Sequence, residues 1–240
     1  MKAKDFRAKA REALTGKWGK AALFTLIYSL ITYCISWIAN LIPVVGGIAN
    51  FIITVPLTYG VVATFIKIKR GEEFGYVDFF KEGFSVFSKL WAIIGNVILK
   101  LIVPIIILII SIVLLSIGFT GGAIGVSASN NAMTGGFGIM GIIGLIGYFV
   151  SIVFLIVKGL YYSLTSYILY DNKELTGKEI VEKSEQLMQG KRGAYFCLCL
   201  SFIGWIILAG FTLGIGSLWL IPYMQVALVA FYENRLEETK

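Results

Sequence analysis

The chain has 240 residues, 58% of them hydrophobic, with a mean hydropathy of +0.84 and a formal net charge of +7. Soluble domains are about 45–50% apolar, whereas several apolar runs here exceed the roughly 18 residues that mark a spanning helix, so a water-soluble globule is excluded. The absence of His removes the commonest general base and metal ligand, and the positive charge lacks the basic face with aromatic platforms that nucleic acid requires.

Residues 3–15 place Phe6, Ala10, Ala13 and Leu14 among Lys and Arg, which predicts an amphipathic helix on the membrane surface. The apolar stretch 21–42 is longer than the roughly 7–15 residues of a signal core, so it is read as a first span, 20–42. A tight link, PVVG (43–46), leads to a second span at 47–67. Residues 77–91 carry Val77, Phe80, Phe84, Phe87 and Trp91 at spacings of 3, 4, 3 and 4, the pattern of one helix face. Spans three and four are predicted at 91–117 and 137–169, joined by an uncharged link at 118–136 rich in Gly, Ser and Asn. Thr176 and Glu179 form a capping box that opens a third amphipathic helix over 177–190, with Ile180, Ser184, Leu187 and Met188 on one face. Spans five and six follow at 193–213 and 217–234 around the short link GIG (214–216).

The charges sort by side. Lys and Arg crowd the segments before span one, between spans two and three, between spans four and five, and after span six. The other three links are uncharged, so the positive-inside rule puts both termini in the cytoplasm. The expected fold class is therefore all-α: a polytopic inner-membrane protein, a single domain over 1–240, with six spans and three cytoplasmic-side amphipathic helices.

The order amphipathic helix, span, span recurs three times, over 1–70, 75–172 and 176–236. VPLTYGVVATF (55–65), VKGLYYSLTSY (157–167) and IPYMQVALVAF (221–231) share one frame, with Pro, Lys158 and Pro at its second position and an aromatic at its end. Each repeat starts in the cytoplasm, so the repeats are parallel and fit an axis along the membrane normal.

Lys158 admits two registers. The repeat frame runs the fourth span from about Gly147 to Leu169 and sets Lys158 near the midplane; this deep register is favoured. The other ends the span at Val157, leaving Lys158 to snorkel at the interface beside Tyr161, Tyr162, Tyr167 and Tyr170. A lone ammonium at the midplane costs at least ~2.5–3.5 kcal/mol, and no Asp or Glu falls within any predicted span apart from Glu233, next to the end of the sixth. Ser151, Tyr161, Tyr162 and Thr165 share its helical face, while Lys100 and Asn96 lie early in span three. Together these seven residues are the expected ligand-binding set, a positively biased polar cavity for an anionic head group. The competing reading has both lysines snorkelling and the amides bridging helices.

The remaining features are read as packing. Gly138, Gly141, Gly144 and Gly147 recur every three residues, and Gly121 and Gly125 form a GxxxG, both of which suit close helix approach. Cys34, Cys197 and Cys199 fall in apolar runs and are read as structural rather than as metal or disulfide partners.

The stretches LTGKW (14–18) and SFIGWIIL (201–208), with Pro222-Tyr223 and the closing Phe231-Tyr232-Glu233, resemble the bacterial integral membrane family called domain of unknown function 975. The resemblance covers nearly the whole chain and is distantly similar to the membrane domain attached to some glycerophosphodiester phosphodiesterases. It implies a bacterial inner-membrane protein with several spans, and it brings no activity or catalytic residues.

Two functions are expected from the sequence. The first is a non-enzymatic protein that binds or moves an anionic lipid or amphiphile. The second is an accessory or scaffold for another membrane protein, or a peptide-immunity or envelope-stress factor. An enzyme would need a nucleophile, base or metal set, and the sequence offers no such set. No cofactor or metal is expected. The expected partners are membrane lipids, a membrane protein or a second copy of the chain.

Overall fold

The computed structural model describes residues 1–42 and 45–239, so Pro43 and Val44 of the first expected link lie outside it. Among the described residues, five helical stretches are long and apolar enough to cross a membrane: Trp18–Asn40, Val45–Arg70, Phe87–Ser127, Asn131–Asp171 and Arg192–Phe211. The chain divides into two compact units, one of Met1–Ile94 with Ser163–Lys240 and one of Gly95–Tyr162.

In the first unit, helices α1 (Ala3–Leu14), α2 (Trp18–Asn40) and α3 (Val45–Arg70) are followed by α4 (Asp78–Ser85) and the start of α5 (Phe87–Ser127). Two turns of sequence close α1 onto α2 with no intervening loop. Thr15 (φ −58°, ψ 128°) and Gly16 (φ +74°) make a type II turn, and the Lys17 amide donates to the Leu14 carbonyl at 2.8 Å. Glycine takes the left-handed position because it alone has no Cβ to clash there.

Two of the amphipathic helices, the first and the third, turn their apolar faces to protein. Phe6, Ala10 and Leu14 of α1 are buried, with the Phe6 ring 5.3 Å from Phe231. Ile180, Val181, Leu187 and Met188 are likewise buried on α8 (Gly177–Met188). Apolar side chains at the membrane surface gain as much from a protein groove as from acyl chains, and the groove also supplies close packing.

In α4 the buried face is Phe79 and Gly83, continued by Val86 between the helices and by Leu90 in α5. The expected face of Val77, Phe80, Phe84, Phe87 and Trp91 is the other one: Val77 and Phe84 are exposed, and Phe84 stacks on Phe87. The apolar arc of the segment is wide, with Asp78, Lys81, Glu82 and Ser85 on the remaining face, so periodicity alone selected its outer edge. Glycine fixes the inward side. A Cβ on Gly60 would lie 2.0 Å from the Phe79 carbonyl oxygen, and one on Gly83 would lie 2.2 Å from that of Pro56.

The unit continues with α7 (Thr165–Asp171), α8, α9 (Arg192–Leu200), α10 (Ile203–Phe211) and α11 (Ser217–Glu238). The fifth expected span is thus two helices, broken at Ser201–Phe202. The side chain of Arg7 donates to the Ser201 carbonyl at 3.4 Å, which covers an acceptor freed by the break. α11, the expected sixth span, is less apolar than the five, because Pro222, Gln225, Glu233, Asn234 and Arg235 interrupt it.

The second unit is a hairpin of the remainder of α5 with α6 (Asn131–Gly159) and a 3-10 turn, Leu160–Tyr162. The expected loop at 118–136 is mostly helix, and only residues 128–130 turn. Composition suggested a loop, but backbone proximity explains the small residues. A Cβ on Gly118 would strike Gly141 at 2.3 Å, one on Gly144 would strike Leu115 at 2.5 Å, and one on Gly147 would strike Ser111 at 2.4 Å. Gly138 faces open space, since a three-residue spacing drifts around a 3.6-residue helix. The stretch Asn131–Asp171 contains the expected fourth span at 137–169, but not as one α-helix: α6 ends at Gly159 and the 3-10 turn follows.

Candidate functional site

Lys158 occupies the exposed last turn of α6, and Lys100 is exposed on α5. Ser151 is buried, and its hydroxyl donates to the Gly147 carbonyl at 2.7 Å, so it belongs to the hairpin seam. Asn96 and Tyr161 are half-buried and Tyr162 is buried, while Thr165 opens α7 in the first unit. Ser151, Lys158, Tyr161, Tyr162 and Thr165 therefore do not share the face of one continuous α-helix, as the expected polar stripe required. The stripe assumed one helix through residue 169, and the helix stops ten residues earlier. None of them lines the three clefts described below.

The largest of these clefts, about 350 Å³, lies in the first unit. Its walls are aromatic: Trp18 at the start of α2, Trp205 on α10, and Trp219 and Tyr223 on α11. Leu208, Ala209 and Leu220 fill the gaps, and Arg11 of α1 is its one charged residue. Helical spacing makes these walls, since Trp205, Leu208 and Ala209 repeat at three and four, as do Trp219, Leu220 and Tyr223. The Trp18 ring sits 6.2 Å from Tyr223, and Phe202 backs Tyr223 edge-on at 5.1 Å.

A tight turn holds α10 against α11 at one end of the cleft. The Thr212 hydroxyl donates to the Ala209 carbonyl at 2.7 Å and accepts from the Gly216 amide at 2.8 Å. A Cβ on Gly216 would lie 2.9 Å from that hydroxyl oxygen. Leu213 (φ +52°) and Gly214 (φ +86°) turn the chain between them. An apolar, aromatic groove with one guanidinium suits a ligand with a hydrocarbon body and an anionic end.

Two further clefts are polar. One of about 300 Å³ is lined by Lys67, Asp78, Lys81, Glu82, Ser85 and Lys173. Another of about 340 Å³ is lined by Lys17, Lys20, Glu72, Glu73, Phe74 and Tyr76, among others. Much of their charge is satisfied internally. Glu82 accepts from Lys67 at 2.8 Å and from Lys173 at 3.4 Å. Burial pushes the Glu82 carboxyl upward, but the Lys67 hydrogen bond and the charges of both lysines outweigh it and hold the group below its ordinary value. Among the described residues, no group of three or more Cys, Asp or Glu side chains is arranged to hold a metal ion.

Trp18, Trp205 and Tyr223 stood in the sequence as parts of separate stretches, and nothing in their spacing joins residues some 200 positions apart. The available signal was the placing of Trp18 and Trp219 near the starts of apolar runs, where indoles commonly sit; Trp205 lies inside its run and gave none.

A family model described as "Protein of unknown function (DUF975)" matches residues 1–239. No curated protein and no solved structure matches the chain.

Proposed function

The chain belongs to that family, and from this premise we propose that it is an inner-membrane protein, without catalytic activity, that binds an anionic amphiphile in the tryptophan-walled cleft. The observation that carries this reading is the cleft's chemistry: three indoles and a phenol ring around an apolar floor, with Arg11 at its edge. Indoles pack acyl chains and tolerate the wet boundary, and a guanidinium matches carboxylate or phosphate oxygens in pairs.

The proposed topology has six spans, α11 being the last, with both termini cytoplasmic. The segregation of Lys and Arg to alternate links supports it. The threefold repeat has support of its own. Gln189 (φ −61°, ψ 128°) and Gly190 (φ +71°) reproduce the turn at Thr15–Gly16, with the Lys191 amide donating to Met188 as Lys17 does to Leu14. In the second repeat Val86 alone separates α4 from α5.

Native mass spectrometry of gently extracted protein tests the function. Wild type is expected to retain an anionic lipid that Trp205→Ala and Arg11→Ala lose, with the fold kept. Equal retention by all three would overturn the cleft as the site and turn attention to a scaffold role, read by crosslinking to other membrane proteins.

A further inference from the structure

The α5–α6 hairpin has a fixed register. Ser111 meets Gly147, Leu115 meets Gly144, Gly118 meets Gly141 and Gly125 meets Thr134. Each pair is nearly equidistant from the turn at 128–130. Lys100 lies eleven residues before Ser111, and Lys158 lies eleven after Gly147. At 1.5 Å per residue both are about 16 Å from that contact, so the two lysines occupy one tier of the hairpin. Both are exposed, and they are the only charged residues between Gly95 and Tyr162.

The tier's depth follows from length and composition. From Lys100 to Ser127, α5 runs 27 residues, about 40 Å, against a hydrocarbon core of about 30 Å. Thirty ångströms from the tier reaches about Thr120 on α5 and Gly138 on α6. There the sequence changes: above the tier it is Leu, Ile, Val and Phe, and from 121 to 136 it reads GGAIGVSASNNAMTGG. The outward surface agrees, with Val103, Ile106, Ile109, Ile143, Phe149 and Val153 exposed within the 30 Å band. A tier at the midplane would instead expose two ammonium groups to acyl chains, at about 2.5–3.5 kcal/mol each.

We propose that Lys100 and Lys158 form a paired contact for the phosphate of an anionic phospholipid, at the level where the hairpin leaves the hydrocarbon. Both side chains are exposed at that level, where the head-group phosphates of the adjoining leaflet lie. The tip at 121–136 stands beyond the opposite face of the bilayer. The inference is independent of the cleft, which shares none of these residues.

The test uses the full-length protein in mixed vesicles of phosphatidylglycerol and phosphatidylcholine, extracted for native mass spectrometry. Wild type retains phosphatidylglycerol in preference. Lys100→Ala/Lys158→Ala loses about tenfold of that preference, and Lys100→Arg/Lys158→Arg keeps it. An unchanged preference in the alanine variant overturns the proposal, as does displacement of the lipid by millimolar inorganic phosphate, which would mark a site for the free anion. Thiol labelling supplies a second measurement, in a background with Cys34, Cys197 and Cys199 replaced by Ala. An impermeant maleimide should reach Lys158→Cys from one side of the membrane and Asn130→Cys from the other. Protection of Lys158→Cys from both sides would place it in the hydrocarbon and overturn the tier.

Discussion

Arg70 grips Asp171 through two parallel hydrogen bonds, of 2.7 and 2.9 Å, across 101 residues of sequence. Tyr232 donates to the same carboxylate at 2.9 Å, and Glu233 accepts from Lys69 and Arg70 at 3.4 Å. The ends of α3, α7 and α11 thus meet in one ion cluster. Asp171→Ala removes the acceptor for a guanidinium and a phenol at once. It is expected to cost about 2–3 kcal/mol, read as a lowered thermal midpoint of the detergent-solubilised protein. Glu233→Ala should cost less, since its contacts are longer.

Gly60→Ala drives a methyl group into the Phe79 carbonyl, where backbone leaves it no room. Overpacking of this kind costs about 1–3 kcal/mol or more, and α4 should detach from α3. Limited proteolysis between residues 71 and 78 reads that detachment. Gly19→Ala, with open space around its site, is the matched control and should leave the digestion pattern unchanged.

The Glu82 carboxyl titrates below its ordinary value of 4.5. Because the folded value is the lower one, the Lys67 and Lys173 contacts stabilise fully above pH 4.5, and this stabilisation is lost as pH falls through the depressed folded value. Glu82→Gln should therefore be less stable than wild type at neutral pH and converge with it in acid. Thermal midpoints at pH 7, 5 and 3 measure this; a constant gap would show that Glu82 acts through shape rather than charge.

Gly16 and Gly190 hold the same left-handed turn, and neither has a neighbour within 4 Å of a built Cβ. Alanine at either site then meets only the backbone penalty, about 1–2 kcal/mol. If the first and third repeats are equivalent, the two losses should agree within about 0.5 kcal/mol in parallel unfolding measurements, and asparagine should recover part of each.

The sequence made the all-helical membrane class and the starts of α1, α8 and α11 legible, because apolar run length and charge clusters are local quantities. Thr176 and Glu179 form the expected capping box. It was silent where two segments compete for one face. In α4 one wide apolar arc holds both Phe79 and Phe84, and only the backbone contacts at Gly60 and Gly83 choose which edge turns inward. In the 118–136 link small residues read as a loop, since a helix packed backbone to backbone uses the same residue types. The break at Gly159 escaped because the repeat frame borrowed continuity from Pro56 and Pro222, which their own helices accommodate. The tryptophan cleft needed tertiary structure outright, bringing together Arg11, Trp18 and Trp205.

The seating of α1 also constrains how the chain is made. Phe6, Ala10 and Leu14 are made long before the segments that cover them, since Phe6 rests on Phe231 and Arg7 reaches Ser201. Helix α1 must wait for α9 to α11 before its apolar side finds cover, whereas α4 can dock on α3 as soon as it emerges. Assembly of the first unit is therefore gated by its last helix, and a chain that stops short of residue 231 would leave its own beginning undocked.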